Sequence, residues 1–238
     1  SAAGRNYVLG CPGGRSPLPV YEALGRRLAG DPVDCARLII VMMDEYLRPA
    51  EGDGFAPPPS EAHYSCRGFG EREIVGRINA GLPENVRIPS ENFWMPDIAA
   101  PGDYDQRIAA AGGIDLFLLA SGAGDGHIAF NPPGSARDSR TRIVTLAEQT
   151  RRDNLATFPD FSGIDDVPSH GVTIGIGSIA EQSKAVAMIV WGEGKRHAFY
   201  RLTSARAYDP SWPATIAVEC RGAELYADAD AAGEWGAR

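Results

Sequence analysis

A carboxylate and an imidazole, Asp125 and His127, stand two residues apart in the glycine-rich stretch Gly122–Pro132. Histidine both accepts and donates a proton near neutral pH. A carboxylate beside it fixes its tautomer or shares the proton relay. The bland alternative is a loop histidine bonded to backbone. The apolar run 114–120 just upstream and the flanking glycines favour the chemical reading, because open α/β sheets place their chemistry at the carboxyl ends of strands. Asp44 has a related setting, directly after the apolar run Leu38–Met43. A carboxylate there acts as a general base if partial burial brings its pKa toward neutrality. Taken alone, an acid capping the next turn is the simpler account.

A second group of residues suits an anion. Gly13, Gly14, Arg15, Ser16 and Pro17 lie between the first apolar run and the first amphipathic segment. Glycines there let the backbone approach an anion closely, and a helix N-terminus offers unpaired N–H donors and a favourable dipole. An ordinary strand-to-helix turn capped by Ser16 is an equal reading of these residues by themselves. The stretch is neither G-x-x-x-x-G-K-[ST] nor G-x-G-x-x-G. Lys195 follows the run Val186–Trp191 at the start of another helix, within reach of the same sheet edge. Arg140 with Arg142, and Arg151 with Arg152, are either phosphate contacts or solvated charge.

Elements that alternate in type must position these groups. Apolar runs at Asn6–Cys11, Leu38–Met43, Leu116–Ala120, Val172–Ile176, Val186–Trp191 and Thr215–Val218 predict strands. Several are continuous, as strands buried on both faces of a parallel sheet require. Helices are predicted over Pro17–Ala29, with Ser16 as N-cap, and over Gly70–Ala80, Tyr104–Ala111, Leu146–Thr157 and Lys195–Thr203. The alternation predicts a three-layer, doubly wound, mainly parallel α/β fold in one domain. Glu51–Pro59 and Ala207–Pro213 read as surface loops, and the tail from Ala227 as a frayed end.

Composition narrows the partners. The 238 residues carry 23 Lys+Arg against 31 Asp+Glu, a formal charge of −8 without a basic run. That argues against nucleic acid or an anionic membrane as partner. The four cysteines show no metal spacing and read as reduced thiols of a cytoplasmic protein. No apolar stretch approaches the ~20 residues of a membrane span.

As a set, these stretches resemble the superfamily of glucosamine-6-phosphate deaminases and 6-phosphogluconolactonases. The resemblance rests on Leu9–Pro17, Met43–Tyr46, Val86–Asn92, Gly124–Asn131, Ser139–Ile143, Val172–Gly177 and Gly194–Lys195, which fall in the family's order. Asp44-Glu45-Tyr46 and Ile128–Asn131 lean to the deaminase branch. The resemblance implies a hexose 6-phosphate substrate and neither metal nor organic cofactor. His127 would open the pyranose ring, Asp44 would move a proton between C2 and C1, and Asp125 would support them. Gly13, Gly14, Arg15, Ser16 and Lys195 would hold the phosphate. A lactone hydrolase using His127 on water is the alternative, and a non-catalytic sugar-phosphate sensor is a third reading. A homo-oligomer is compatible with all three.

The chain departs from the deaminase pattern in four places. Pro132 takes the place of a glutamate that partners the histidine. Ala156 stands where a phosphate-binding arginine is expected, and Arg15 is positioned to restore that charge. Val144 replaces a lysine of the regulatory site of allosteric deaminases. The sequence opens almost at its first strand, where relatives usually carry a helix.

Overall fold

Strands whose side chains alternate between two covered faces need apolar residues at every position, and the central runs satisfy this. In the computed structural model, which describes residues 4–52, 54–158 and 160–233, ten strands form two sheets. The larger sheet is parallel, in the order β10-β9-β6-β1-β2-β5 with strands numbered along the chain. These are β1 (Tyr7–Cys11), β2 (Leu38–Met42), β5 (Phe93–Trp94), β6 (Leu116–Ala120), β9 (Val186–Val190) and β10 (Ala223–Ala227). A four-stranded antiparallel sheet orders β4 (Phe55–Ala56), β3 (Asp44–Pro49), β8 (His170–Thr173) and β7 (Arg142–Thr145).

Helices cover both faces of the larger sheet. On one side, Leu9, Ile40, Met42 and Leu118 pack with Tyr21 and Leu28 of α1 (Leu18–Gly30). Ile74 and Ile78 join them from a continuous helical run made of α2 (Cys66–Phe69), a π-helical segment (Gly70–Gly76) and α3 (Arg77–Ala80). On the other side, Val8, Val41, Phe117, Leu119 and Met188 pack under three more helices. These are α4 (Pro101–Ala110), α6 (Ile176–Gln182) and α7 (Arg196–Ser204). Neighbours in sequence such as Ile40 and Val41 thus serve opposite cores, which is why the runs do not alternate. The remaining helices are α5 (Glu148–Thr157) and α8 (Ala229–Ala232).

Several predicted elements need correction. Thr215–Val218 is not a strand but part of a 3-10 helix, Pro213–Glu219, whose Ala214–Ala217 are buried. A short buried apolar run has no periodicity to separate the two, and Pro213 starts the helix. The edge strand is instead β10, mostly exposed and therefore without an apolar signature. It reaches Ala227, and Asp228 then caps α8 by accepting from the Ala231 amide (2.8 Å), so residues 227–232 are not frayed; residues 234–238 lie outside those described. The strand predicted over Val172–Ile176 stops at Thr173, and Ile176 opens α6. Helix α1 begins one residue late, with Pro17 rather than Ser16 at the cap and no side-chain cap bond.

The second sheet begins where the first strand pair ends. After Met42 the chain leaves the parallel sheet and pairs at once with β8, setting Asp44 opposite Thr173 and Glu45 opposite Val172. The turn is anchored by Glu45, whose carboxylate accepts from the amides of Tyr46 (2.8 Å), Cys66 (2.9 Å) and Arg67 (2.8 Å) and the Ser65 hydroxyl (3.2 Å). The donors at Cys66 and Arg67 are first-turn amides of α2 and have no helical partner. A carboxylate satisfies them and complements the positive end of the run. Glu45 is 3% exposed, so its removal strands these donors. Glu45→Ala is expected to lower the unfolding free energy by about 3 kcal/mol. Urea titration checks this, and a loss under about 1 kcal/mol would show that the anchor is dispensable.

Candidate functional site

Two glycines shape the loop after β6. A side chain at Gly122 would put its Cβ 2.3 Å from the His127 Nδ1 and 2.4 Å from the Asp125 Oδ1. Gly126 adopts φ +64°, and a Cβ there would meet the Trp212 ring at 2.2 Å. The loop closes on itself through the Gly122 amide, which donates to the His127 carbonyl at 2.8 Å. It therefore presents the imidazole at the carboxyl edge of β6.

His127 and Asp125 form a hydrogen-bonded pair, Nδ1 to Oδ1 at 2.6 Å. The Thr150 hydroxyl donates to the other Asp125 oxygen at 2.9 Å. Burial works against the Asp125 charge, but the hydrogen bond and charge of His127, with the Thr150 hydroxyl, bring its pKa down to about 2. An ionised carboxylate only accepts, so Nδ1 carries the proton and Nε2 is left for a ligand. Asp44 behaves in the opposite way. Its burial, at 6% exposed, pushes its pKa up to about 7, with the Glu45 charge adding to the rise. A hydrogen bond from Cys66 and the nearby His127 offset only part of it.

These groups face one cleft of about 480 Å³. Of the eight residues singled out from sequence, seven line it: Gly13, Gly14, Arg15, Ser16, Asp44, His127 and Lys195. Asp125 stands behind the imidazole instead. At the anion end, the amides of Gly13, Gly14, Arg15 and Ser16 have no hydrogen-bond partner among the described residues. The Arg15 guanidinium is likewise unpaired among them. Lys195 Nζ donates to the Ser121 carbonyl. Burial lowers its pKa and Arg15 adds to that, while Asp153 and Asp125 oppose it. Free amides, a guanidinium and an ammonium around one concavity can hold a phosphate dianion.

The two arginine pairs do not reach the cleft. Arg142 donates to Asn131 Oδ1 at 2.9 Å and Arg140 pairs with Glu181. Arg151 bonds the Ile164 and Val167 carbonyls, and Arg152 pairs with Glu148. Pro132 does not line the cleft either; its carbonyl accepts from the Ser135 hydroxyl at 2.7 Å. Val144 is buried in β7, and position 156 lies in α5 with its side chain outside those described.

Sequence reasoning missed four residues of this site. Thr150 and Asp153 sit one turn apart on α5, a spacing that puts them on one face. Cys66 and Trp191 also line the cleft; Trp191 was legible as the last residue of an apolar run, whereas nothing marked Cys66. One oxygen each of Asp125 and Asp153 and a ring nitrogen of His127 lie within 4.8 Å of one another. Both Asp125 oxygens are engaged by His127 and Thr150.

No protein-family model matches the chain. A glucosamine-6-phosphate deaminase of Beutenbergia cavernae is 40% identical over 210 residues, which cover 88% of this chain and 74% of that protein. The chain belongs to the glucosamine-6-phosphate deaminase family. A second member, from Rhodococcus jostii, is 41% identical over 192 residues, 80% of this chain and 68% of its own. The solved structure of a monomeric glucosamine-6-phosphate deaminase superposes with a TM-score of 0.80 at 27% identity, covering 95% of this chain and 87% of that one. A 6-phosphogluconolactonase from Thermotoga maritima, at 23% identity and a TM-score of 0.58, shares the fold. The three-layer α/β architecture expected from sequence is thus the family's. Among the described residues, no helix is long and apolar enough to cross a membrane.

The Asp44 shift has a consequence for stability. Folding raises its pKa from 3.8 to about 7, so the folded chain holds the proton more tightly than the unfolded one. The contribution to stability is complete below about 3.8 and is lost as pH rises through about 7. Asp44→Asn, which cannot ionise, is therefore expected to gain thermal midpoint over the wild type as pH rises across that interval, and to hold the gain above it. Differential scanning calorimetry from pH 4 to 8 tests this. A difference independent of pH would mean that the carboxyl group is not desolvated.

Proposed function

We propose that the chain converts glucosamine 6-phosphate and water into the ketose 6-phosphate and ammonia, acting as a single-domain cytoplasmic enzyme. One observation carries the reading. A buried carboxylic acid with a pKa near 7 and a carboxylate-held imidazole face the same cleft, whose far end is a cradle of free amides and cations. The relatives from Beutenbergia cavernae and Rhodococcus jostii and the solved monomeric structure are glucosamine-6-phosphate deaminases.

In this reading the phosphate seats on the amides of Gly13–Ser16, on Arg15 and on Lys195. Backbone N–H groups and a guanidinium fork hold it without a metal. His127 Nε2 takes the proton of the C1 hydroxyl and hands it to the ring oxygen as the C1–O5 bond breaks, leaving an aldehyde at C1. Asp44, as carboxylate, removes the C2 proton, O1 takes a proton from the substrate's ammonium group, and the electron pair forms an enolamine across C1 and C2. The same proton returns to C1, giving the C2 iminium. Water adds to C2 and ammonia leaves, so one water is consumed for each ammonia released. Asp125 holds the imidazole tautomer throughout. A base that must be ionised near neutrality is most useful with a pKa near the working pH, which burial supplies to Asp44.

A second reading, lactone hydrolysis, is favoured by Pro132, since it needs His127 on water and no further carboxylate at that position. The two are separable. Purified protein incubated with glucosamine 6-phosphate is expected to release ammonia and ketose phosphate in equal amounts, and to leave 6-phosphogluconolactone untouched. No ammonia at high enzyme concentration sinks the deaminase. Both Asp44→Asn and His127→Ala are expected to lower kcat by roughly 10²–10⁴-fold, whereas a lactonase would tolerate the first. In the wild type kcat/KM is expected to fall as pH drops below about 7, where Asp44 becomes protonated. Arg15→Ala is expected to raise KM about tenfold through loss of a charged phosphate contact. An unchanged KM would remove Arg15 from the cradle.

A further inference from the structure

We propose that Trp191 is the clasp that holds the two halves of the phosphate cradle in register; the inference rests on the reading that this cradle takes the substrate's phosphate. The anion-binding groups come from loops that are not neighbours in the sheet. Gly13–Ser16 follows β1, Lys195 follows β9, and β6 runs between those strands. Each loop is therefore placed by a different strand, and the distance between its donors is not set by strand pairing alone.

Trp191 closes that gap. Its indole Nε1–H donates to the Ser16 carbonyl at 2.8 Å, across 175 positions of sequence. The acceptor belongs to the residue that ends the run of free amides, so the bond fixes the peptide plane next to them. On its other side Trp191 is followed by Gly192 at φ +85°, whose amide donates to the Asp228 carboxylate at 3.0 Å. The clasp is thus anchored at both ends before any ligand arrives. Burial does not explain the residue, because Trp191 is 43% exposed and lies at the wall of the cleft. What an exposed indole supplies here is its donor.

Donors already set at their bound spacing bind an anion without the entropic cost of ordering two loops. Losing one neutral hydrogen bond of this kind is expected to weaken binding about fivefold. Trp191 contacts no reacting atom in this account, and it acts through the loop it positions.

Trp191→Phe keeps an aromatic ring on the half-exposed cleft wall and removes the indole N–H together with the five-membered ring that carries it. We expect calorimetric titration with inorganic phosphate to show about fivefold weaker binding than in the wild type. KM for glucosamine 6-phosphate should rise by the same factor, with the loss in KM rather than in kcat, and the thermal midpoint should hold within about 2 °C. A Phe variant that binds phosphate as the wild type does overturns the clasp. So does a variant whose kcat and thermal midpoint fall together with unchanged KM, because that is the mark of a structural role. Wild-type protein that binds phosphate yet releases no ammonia removes the deaminase reading and leaves the clasp standing. Wild-type protein that binds neither inorganic phosphate nor the sugar phosphate overturns both.

Discussion

The chain's exit from the parallel sheet at Met43 is the constraint on which the site depends. Strand β2 runs in the core, and the very next pairing, Asp44 against Thr173, belongs to a different sheet. A carboxylate at such a junction meets the cleft with only 6% of its surface exposed, and the neighbouring Glu45, whose oxygens are committed to the start of α2, adds its charge to the rise. The desolvation of Asp44 thus follows from the topology, and the Ile174 amide bond to the Met43 carbonyl (2.8 Å) holds the junction shut. Two adjacent acids have separate tasks: one is a structural anchor and the other a group kept near its proton.

The cleft holds carboxylates whose environments push their pKa values apart. Asp125 is brought to about 2 by donors and Asp44 is lifted to about 7 by burial. Such a split separates the group that stays charged from the group that exchanges a proton. The loop that ends at Pro132 is held by other groups. The loop end at Asn131 is pinned by Nδ2 bonds to the Ile128 and Ile174 carbonyls and receives Arg142, so its packing does not rely on an acid there.

Much of this was legible in the chain. Continuous apolar runs announced β1, β2, β6 and β9, because their alternate residues serve two cores and cannot be polar. Glycines on either side of Asp125 and His127 marked a loop under steric constraint. What stayed hidden had a physical reason in each case. Strand β10 is an exposed edge and β5 is two residues long, so neither carries a pattern. The second sheet is built from short strands such as β7, whose four residues are too few to show a periodic pattern. Thr150 and Asp153 meet the histidine only because α5 folds over the cleft, and a contact across 23 residues leaves no trace in local spacing.

The tight fit at Gly122 bears on how position and charge at His127 can be told apart. The space that a β-carbon would take at residue 122 is occupied by the imidazole nitrogen itself. One added methyl group must therefore push the ring aside, while every ionisable group in the protein stays present and chemically intact. The fold thus contains its own control for the chemistry: a neutral hydrocarbon change, made one strand-end away, that alters where the proton carrier stands without altering what it is.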